Sequence, residues 1–444
     1  MTDSTTSGLI CNLLRRHAIA ALDKPHLTFA DIEPVIKTLS RTPAVRAVVV
    51  GHSFNGTPIY RLSMGNGPVT LLGWTQMHGD EPTATAAVLD WLNIASMHTD
   101  TLYPAQWQDK VSVHFLIMLN PDGAASRRRE NAQGLDINRD ARALQTPEGA
   151  ILDQQVKQLK PDLALNLHDQ NAWYRAGNHS RLPSTMAFLA PPFDAAETVH
   201  DKRRFAMQMV ATMHHQLRQH FQVGMARYVD SYSPRCFGDT IAAVTPTVLI
   251  ESGACPGDPH RQTARHMNVV ALHCALIGLL RPDHLRPDKE YFLLEENIED
   301  GMHDLILRHV RQTQAQTAFY SDIGINKNKR SGTAVIVAMG DLADQGAFEE
   351  VNCDNLTIMD GKVYRLTAPF ILNDTGYRHL LKQGYTTFSG SKDLLTVETQ
   401  YPVVFVCRNT QPGQPGSGHR PALLLGRGHV PELAVLDACV VHLP

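Results

Sequence analysis

Positions 45–50 (Val45-Arg46-Ala47-Val48-Val49-Val50) are rich in valine until Gly51 ends the run. A second apolar run covers Val69 to Trp74. A third, Val111 to Leu119, stops at Asn120-Pro121-Asp122-Gly123, a strong turn signal. Leu163 to Leu167 and Thr247 to Ile250 are further short apolar strands. Between them the period changes. Thr83 to Ser96, behind Pro82 at a favoured first helical position, spaces its apolar residues as a helix does. Pro147 to Leu159, Lys202 to Phe221 and Arg261 to Leu280 follow the same spacing. Strands this apolar, alternating with helices, predict an α/β fold: a mixed, mainly parallel sheet with helices on both faces. Such sheets bind ligands beyond the carboxyl ends of their strands, so residues that directly follow a strand carry the most information.

The ends of the chain have a different texture. Residues 1–44 read as a helical preamble, with Thr28 or Asp31 as a helix start. Around 281–290, Arg-Pro-Asp-His-Leu-Arg-Pro-Asp-Lys-Glu marks a boundary. Beyond it Thr333 to Met339, Gly361 to Leu366, Leu394 to Thr399 and Val403 to Cys407 read as short strands, and Pro412 to Gly418 as a mobile loop. The expected division is a preamble over 1–44, a central α/β domain over 45–285 and a smaller β-rich domain over 290–444. The 444 residues are 43% hydrophobic and 19% charged, enough for a packed core and too apolar for a disordered chain. A net charge of -3 gives no footprint for a nucleic-acid or membrane-surface partner. No run approaches the ~18 apolar residues of a membrane span, and the polar first residues make a poor secretory signal. Seven scattered cysteines, none in Cys-x-x-Cys, point to a reducing compartment. A cytoplasmic location is the expectation; the sequence carries no signal for an oligomeric state.

Four strand ends carry chemistry. His78-Gly79-Asp80-Glu81 sits between the run ending at Trp74 and the helix opened by Pro82. Imidazole nitrogen and carboxylate oxygen three residues apart can face one metal ion, although with 22 histidines His-x-x-Glu also arises by chance, as at His429 to Glu432. His168 directly follows Leu163 to Leu167, where a distant third ligand would have to come from. Glu251 ends Thr247 to Ile250; a carboxylate there either caps a turn or serves as a general base on water. Arg127-Arg128-Arg129 followed by Gly134-Leu-Asp136-Ile-Asn138-Arg139-Asp140 is either a solvated loop or an anion site, since guanidinium matches carboxylate bidentately.

Taken in order, His-Gly-Asp-Glu at 78–81, Asn-Pro-Asp-Gly at 120–123, the stretch 127–140, Asn-Leu-His at 166–168 and Leu-Ile-Glu-Ser-Gly at 249–253 resemble the zinc carboxypeptidases of the carboxypeptidase A family over about 45–285. The resemblance implies one zinc ion held by His78, Glu81 and His168, with Glu251 as the catalytic carboxylate. Asn138 and Arg139 would grip the substrate's terminal carboxylate. Arg129 would polarise the scissile carbonyl, with Arg128 the competing alignment, and Asp136 would accept the ring N–H of His78. The implied activity is hydrolysis of a C-terminal peptide bond. The short gap from Glu81 to His168 is also similar to the aspartoacylase and succinylglutamate desuccinylase type of deacylase, so an N-acyl amino acid or a cell-wall peptide is the alternative substrate. Two features depart from the family: Asp140-Ala141 follows the Asn-Arg pair, and two tyrosines, Tyr228 and Tyr232, compete for the place of a mobile tyrosine. Tyr232 and Arg235 are the expected further substrate contacts.

Overall fold

In the computed structural model, residues 3–314, 316–328, 331–406 and 415–444 are described. The chain forms two compact units, Met1–Asn178 with Leu182–Glu299, and His179–Arg181 with Asp300–Pro444.

The first unit is built on eight strands: β1 (Arg46–His52), β2 (Pro58–Met64), β3 (Val69–Thr75), β4 (Val111–Ile117), β5 (Leu163–Asp169), β6 (Ser184–Leu189), β7 (Gly224–Arg227) and β8 (Thr247–Ser252). Their spatial order is β1-β2-β4-β3-β5-β8-β6-β7. The central pairings β4/β3, β3/β5 and β5/β8 are parallel, as is β6/β7. The pairs β1/β2, β2/β4 and β6/β8 run antiparallel. The expected mixed, mainly parallel sheet is what forms.

Alternation along the strands explains the layers, because successive side chains leave a strand on opposite faces. Leu71, Val113, Leu165 and Val248 join one apolar cluster with the helices α1 (Asp3–His17), α2 (Phe29–Leu39), α3 (Thr83–Met97), α5 (Asp201–Leu217) and α6 (Gln262–Leu280). Leu72, Trp74, Leu116 and Ala164 join the other, with α4 (Pro147–Leu159) and the short helix Phe237–Ala242. Thr28 caps α2 through a reciprocal pair with Asp31, so both residues singled out as its start take part. Ile10, Leu14, Ile32 and Ile36 lie in the same core as α3 and α6, and α1 packs on both helices. α6 is long and apolar enough to cross a membrane, but 72% of its apolar window is buried inside the protein, as befits a core helix.

The second unit is β-rich. Its main sheet contains the long hairpin Met302–Gln314 and Thr317–Lys327 together with Ala334–Gly340, Gly346–Asn352, Thr357–Met359, Ala422–Arg427, Val430–Leu436 and Cys439–His442. Strands do form at 334–340, 362–365 and 395–398. Residues 403–406 form none, Phe405 making an isolated bridge to Phe388; Cys407 lies outside the described residues, as do residues 412–414 of the expected loop.

Candidate metal centre

β3 ends at Thr75, and the chain then turns with Gln76 at φ 50°. The Gln76 amide braces this turn by donating to Gly79 O at 2.9 Å and Leu27 O at 3.1 Å. Gly79 is required here for space. A Cβ on it would lie 2.0 Å from the Gly123 carbonyl carbon, so the turn carrying His78 and Glu81 rests directly on the backbone of the Asn-Pro-Asp-Gly segment. That segment is not the turn its residues suggest. Pro121–Ser126 is a short helix, with Pro121 at its start and Asn120 capping the Gly123 N–H at 2.8 Å. The same residue types serve a helix start as well as a turn, because both need a side-chain acceptor beside an unpaired backbone donor. The Asn120 amide also donates to Met77 O and to Arg129 O, each at 3.2 Å. One side chain thus ties the histidine turn to the arginine loop.

His78, Glu81 and His168 converge, with one potential ligand atom from each lying within 4.8 Å of the others. The two Nδ1 atoms are 3.1 Å apart. Glu81 Oε1 lies 2.7 Å from His78 Nδ1, and Oε2 lies 2.8 Å from His168 Nδ1. The rings are 2% and 3% exposed, so their charges are poorly solvated. Burial opposes a proton on His78, but the Glu81 and Asp136 carboxylates outweigh it and lift that ring to about 9. Burial lowers His168. Burial alone would raise Glu81, yet the two rings pull it well below the usual range. Two imidazole nitrogens against one carboxylate form a donor set that suits a small divalent cation such as zinc. His78 Nε2 lies 3.2 Å from Asp136 Oδ1, the outer contact that fixes which ring nitrogen faces inward.

Glu251 reaches the same place through sheet register. On the parallel ladder of β5 and β8, His168 is paired with Glu251. One oxygen of Glu251 is buried without a hydrogen-bond partner. Burial first, then the negative charge of Glu81, raises this carboxyl well above its ordinary range.

Arg129 and Arg128 separate clearly. Arg129 Nε donates to Asp136 Oδ2 at 2.9 Å, and its Nη1 lies 3.1 Å from His78 Nδ1 and 3.6 Å from Glu81 Oε1. Arg128 is exposed. Asn138 and Arg139 follow on a single turn, Ile137–Arg139, which Asp136 caps. Asn138 Oδ1 accepts from the Phe237 N–H at 3.0 Å, and Arg139 Nη1 donates to Cys236 Sγ at 3.2 Å while the residue stays exposed. The departure at Asp140 has a structural reason. Its carboxylate is buried and accepts from the N–H and hydroxyl of Thr146, both at 2.7 Å, anchoring the start of α4.

Tyr228 is the tyrosine whose charge interacts with Glu251; burial first, then Glu251, raises its hydroxyl. Its oxygen lies 3.4 Å from that of Tyr174. Tyr232 is half-buried and Arg235 exposed. Asp169 joins the site without a motif in the sequence to announce it. Its N–H donates to Glu81 Oε2 at 3.1 Å and its Oδ2 accepts from the Thr83 hydroxyl at 2.7 Å. Its position directly after His168 was the one available signal. The His429 to Glu432 copy lies at the exposed end of a hairpin, and among the described residues only the His78 copy belongs to a metal-capable group.

The sequence model of the zinc carboxypeptidase family matches residues 32–190. Carboxypeptidase SOL1 of Arabidopsis thaliana is 28% identical over 130 residues, covering 27% of this chain and 26% of that protein. The chain therefore spans about a quarter of the length of the curated relative it matches. Among solved structures, a metallo-carboxypeptidase from Burkholderia cenocepacia aligns with TM-score 0.46 and 13% identity over 57% of this chain and 69% of that one. Carboxypeptidase A from Helicoverpa armigera aligns with TM-score 0.44 and 16% identity over 61% and 80%. The matched stretch, which holds His78, Glu81, Arg129, Asp136 and His168, is thus similar to a zinc carboxypeptidase domain.

Proposed function

We propose that the chain is a zinc carboxypeptidase that hydrolyses the last peptide bond of a substrate with a free carboxylate. The observation that carries this reading is the convergence of His78, Glu81 and His168, with the unpartnered acid oxygen of Glu251 one strand away. These three side chains would hold one zinc ion, which when bound supplies Lewis acidity toward water and the scissile carbonyl. Glu251 takes a proton from the attacking water and delivers it to the departing nitrogen. Burial raises this carboxyl above its ordinary range, which suits it to delivering that proton. Arg129 places a permanent cation beside the site, where negative charge develops on the carbonyl oxygen; one such donor contributes roughly 3 kcal/mol. Asn138 and Arg139 hold the terminal carboxylate, with Tyr232 and Arg235 as further substrate contacts from the neighbouring loop. Asp136 keeps the His78 ring in register. An exopeptidase follows from this arrangement, since substrate is fixed by its end.

The test is turnover of hippuryl-type dipeptides as free acids and as amides by the zinc-loaded chain. Cleavage of the free acid with at least ~10-fold preference over the amide is expected, the value of one charge-assisted anchor. Equal cleavage of both overturns the exopeptidase reading. Turnover of N-acetyl or N-succinyl amino acids with no peptide cleavage would instead make it a deacylase.

A further inference from the structure

Arg261 is the residue at which the chain leaves the loop after β8 and enters α6, and it does so at φ 54° and ψ 34°. A left-handed conformation is costly for a residue with a Cβ and persists where its surroundings hold it. Here the loop is fixed from below: Asp258 accepts from the Gln262 N–H at 2.9 Å and the Thr263 N–H at 2.6 Å, and the Arg261 N–H returns to Asp258 O at 3.2 Å. The guanidinium is thereby carried back over the carboxyl edge of the sheet. Nη1 donates to Ser252 O at 2.7 Å and Nη2 to Gln170 O at 2.8 Å. Nη1 also lies 3.7 Å from the Asp169 carboxylate.

These acceptors are significant for their place. Ser252 directly follows Glu251 and Gln170 lies two residues after His168, on strands paired His168 to Glu251 and Asp169 to Ser252. The backbone ladder closes with the Gln170 N–H donating to Ser252 O at 2.9 Å. The planar fork of Arg261 therefore clasps the two strand ends just where the pairing finishes. Asp169 extends the clasp to the third side chain, through its N–H on Glu81 Oε2 and its carboxylate on Thr83. Lysine cannot replace such a fork, since it offers a point charge rather than two divergent donors in one plane.

We infer that Arg261 is a positioning residue for the reaction, setting the separation of Glu251 from the metal centre by clasping the ends of the strands that carry Glu251 and His168. The inference rests on the zinc carboxypeptidase reading above. Arg261 touches no reacting atom. It acts by limiting how far the base and the third ligand drift apart, so its loss lowers kcat and loosens zinc while substrate anchoring through Arg139 is preserved.

The experiment uses the full chain as wild type, Arg261→Gln, Arg261→Lys and Arg261→Gly. Each is measured for zinc dissociation to a chromophoric chelator, kcat and KM on a free-acid hippuryl dipeptide, and melting temperature. The glycine variant removes the guanidinium while relieving the left-handed backbone, so it separates side chain from strain. A wild type that binds no zinc or cleaves no peptide ends the underlying reading, whatever the variants do. With wild type active, we expect Arg261→Gln and Arg261→Gly to lose zinc and kcat by about 10–100-fold with KM within about 2-fold, the scale of outer contacts to metal ligands. Arg261→Lys should recover only part of this. Wild-type kcat and zinc retention in Arg261→Gly, or a fall in melting temperature with both parameters unchanged, would overturn the positioning role and leave Arg261 a structural residue. A rise in KM with kcat intact would overturn it equally.

Discussion

Asp90 with Arg265, and His78 with Glu81 and His168, are both sets of charged groups withdrawn from water inside the same unit, yet their hydrogen bonds are distributed differently. Asp90 and Arg265 join α3 to α6 with side chains 0% and 2% exposed. Arg265 donates to both Asp90 oxygens, at 2.7 and 2.9 Å, to Ile19 O at 3.0 Å and to Gln262 Oε1 at 3.0 Å. The Ile19 N–H completes Asp90 at 2.8 Å. At the metal centre, His168 Nε2, Asp169 Oδ1 and Glu251 Oε2 are buried with no partner. Orphaned polar atoms are expensive to bury. One charged pair is closed on itself, whereas Glu251 keeps an acid oxygen unpaired on the strand beside His168.

Substitutions can break this comparison. Glu251→Gln should give the largest effect, a loss of kcat of about 10²–10⁴-fold with zinc still bound, because base and ligands are separate groups. Its melting temperature should hold, since burial already favours the neutral form of this carboxyl and an amide of the same size takes its place. Full turnover in the zinc-replete variant would contradict the assignment. Asp90→Ala should act the other way, costing about 3–5 kcal/mol of stability in denaturant unfolding, because it strands a buried guanidinium. The remaining folded enzyme should keep its kcat; an unaffected midpoint would remove the contrast.

The next effect is set by pH. His273, buried on α6 with its Nδ1 3.2 Å from the Tyr103 hydroxyl, is lowered from 6.5 to about 4 by burial. The unfolded chain takes up this proton first. The ring's cost is thus absent above about pH 6.5, grows by about 1.4 kcal/mol per pH unit as pH falls, and levels off below about pH 4. Stability of the wild type minus that of His273→Gln should therefore decline across that window; a flat difference would show that the ring is not held neutral. Lys157→Ala serves as the smallest change. Its exposed pair with Asp153, at 2.7 Å one turn away on α4, should contribute less than about 0.5 kcal/mol.

Much of the site was legible in the sequence because its residues directly follow apolar strands, and strand ends share one edge of the sheet. What proved hidden was register and long-range contact. Nothing local tells that His168 and Glu251 are paired neighbours, that Asn120 holds both Met77 and Arg129, or that Arg261 returns to Ser252 and Gln170. The two tyrosines could not be separated either: Tyr228 ends near Glu251 because it directly follows β7, whereas Tyr232 lies four residues further along the loop. In the second unit Ala334–Gly340 was visible because it is continuously apolar. The hairpin Met302–Gln314 with Thr317–Lys327 escaped because His303, Arg308, Arg311 and Gln312 interrupt its apolar pattern. The four-residue strand β7 had too little length for a period to emerge.

The most direct test of the central claim is metal stoichiometry. Wild-type chain dialysed against trace zinc should retain one ion per molecule by atomic emission, and His168→Ala, which removes the ligand most distant in sequence, should retain well under a tenth of that while its circular dichroism is unchanged. Retention of a full equivalent by folded His168→Ala would contradict the convergence of these three side chains on one metal.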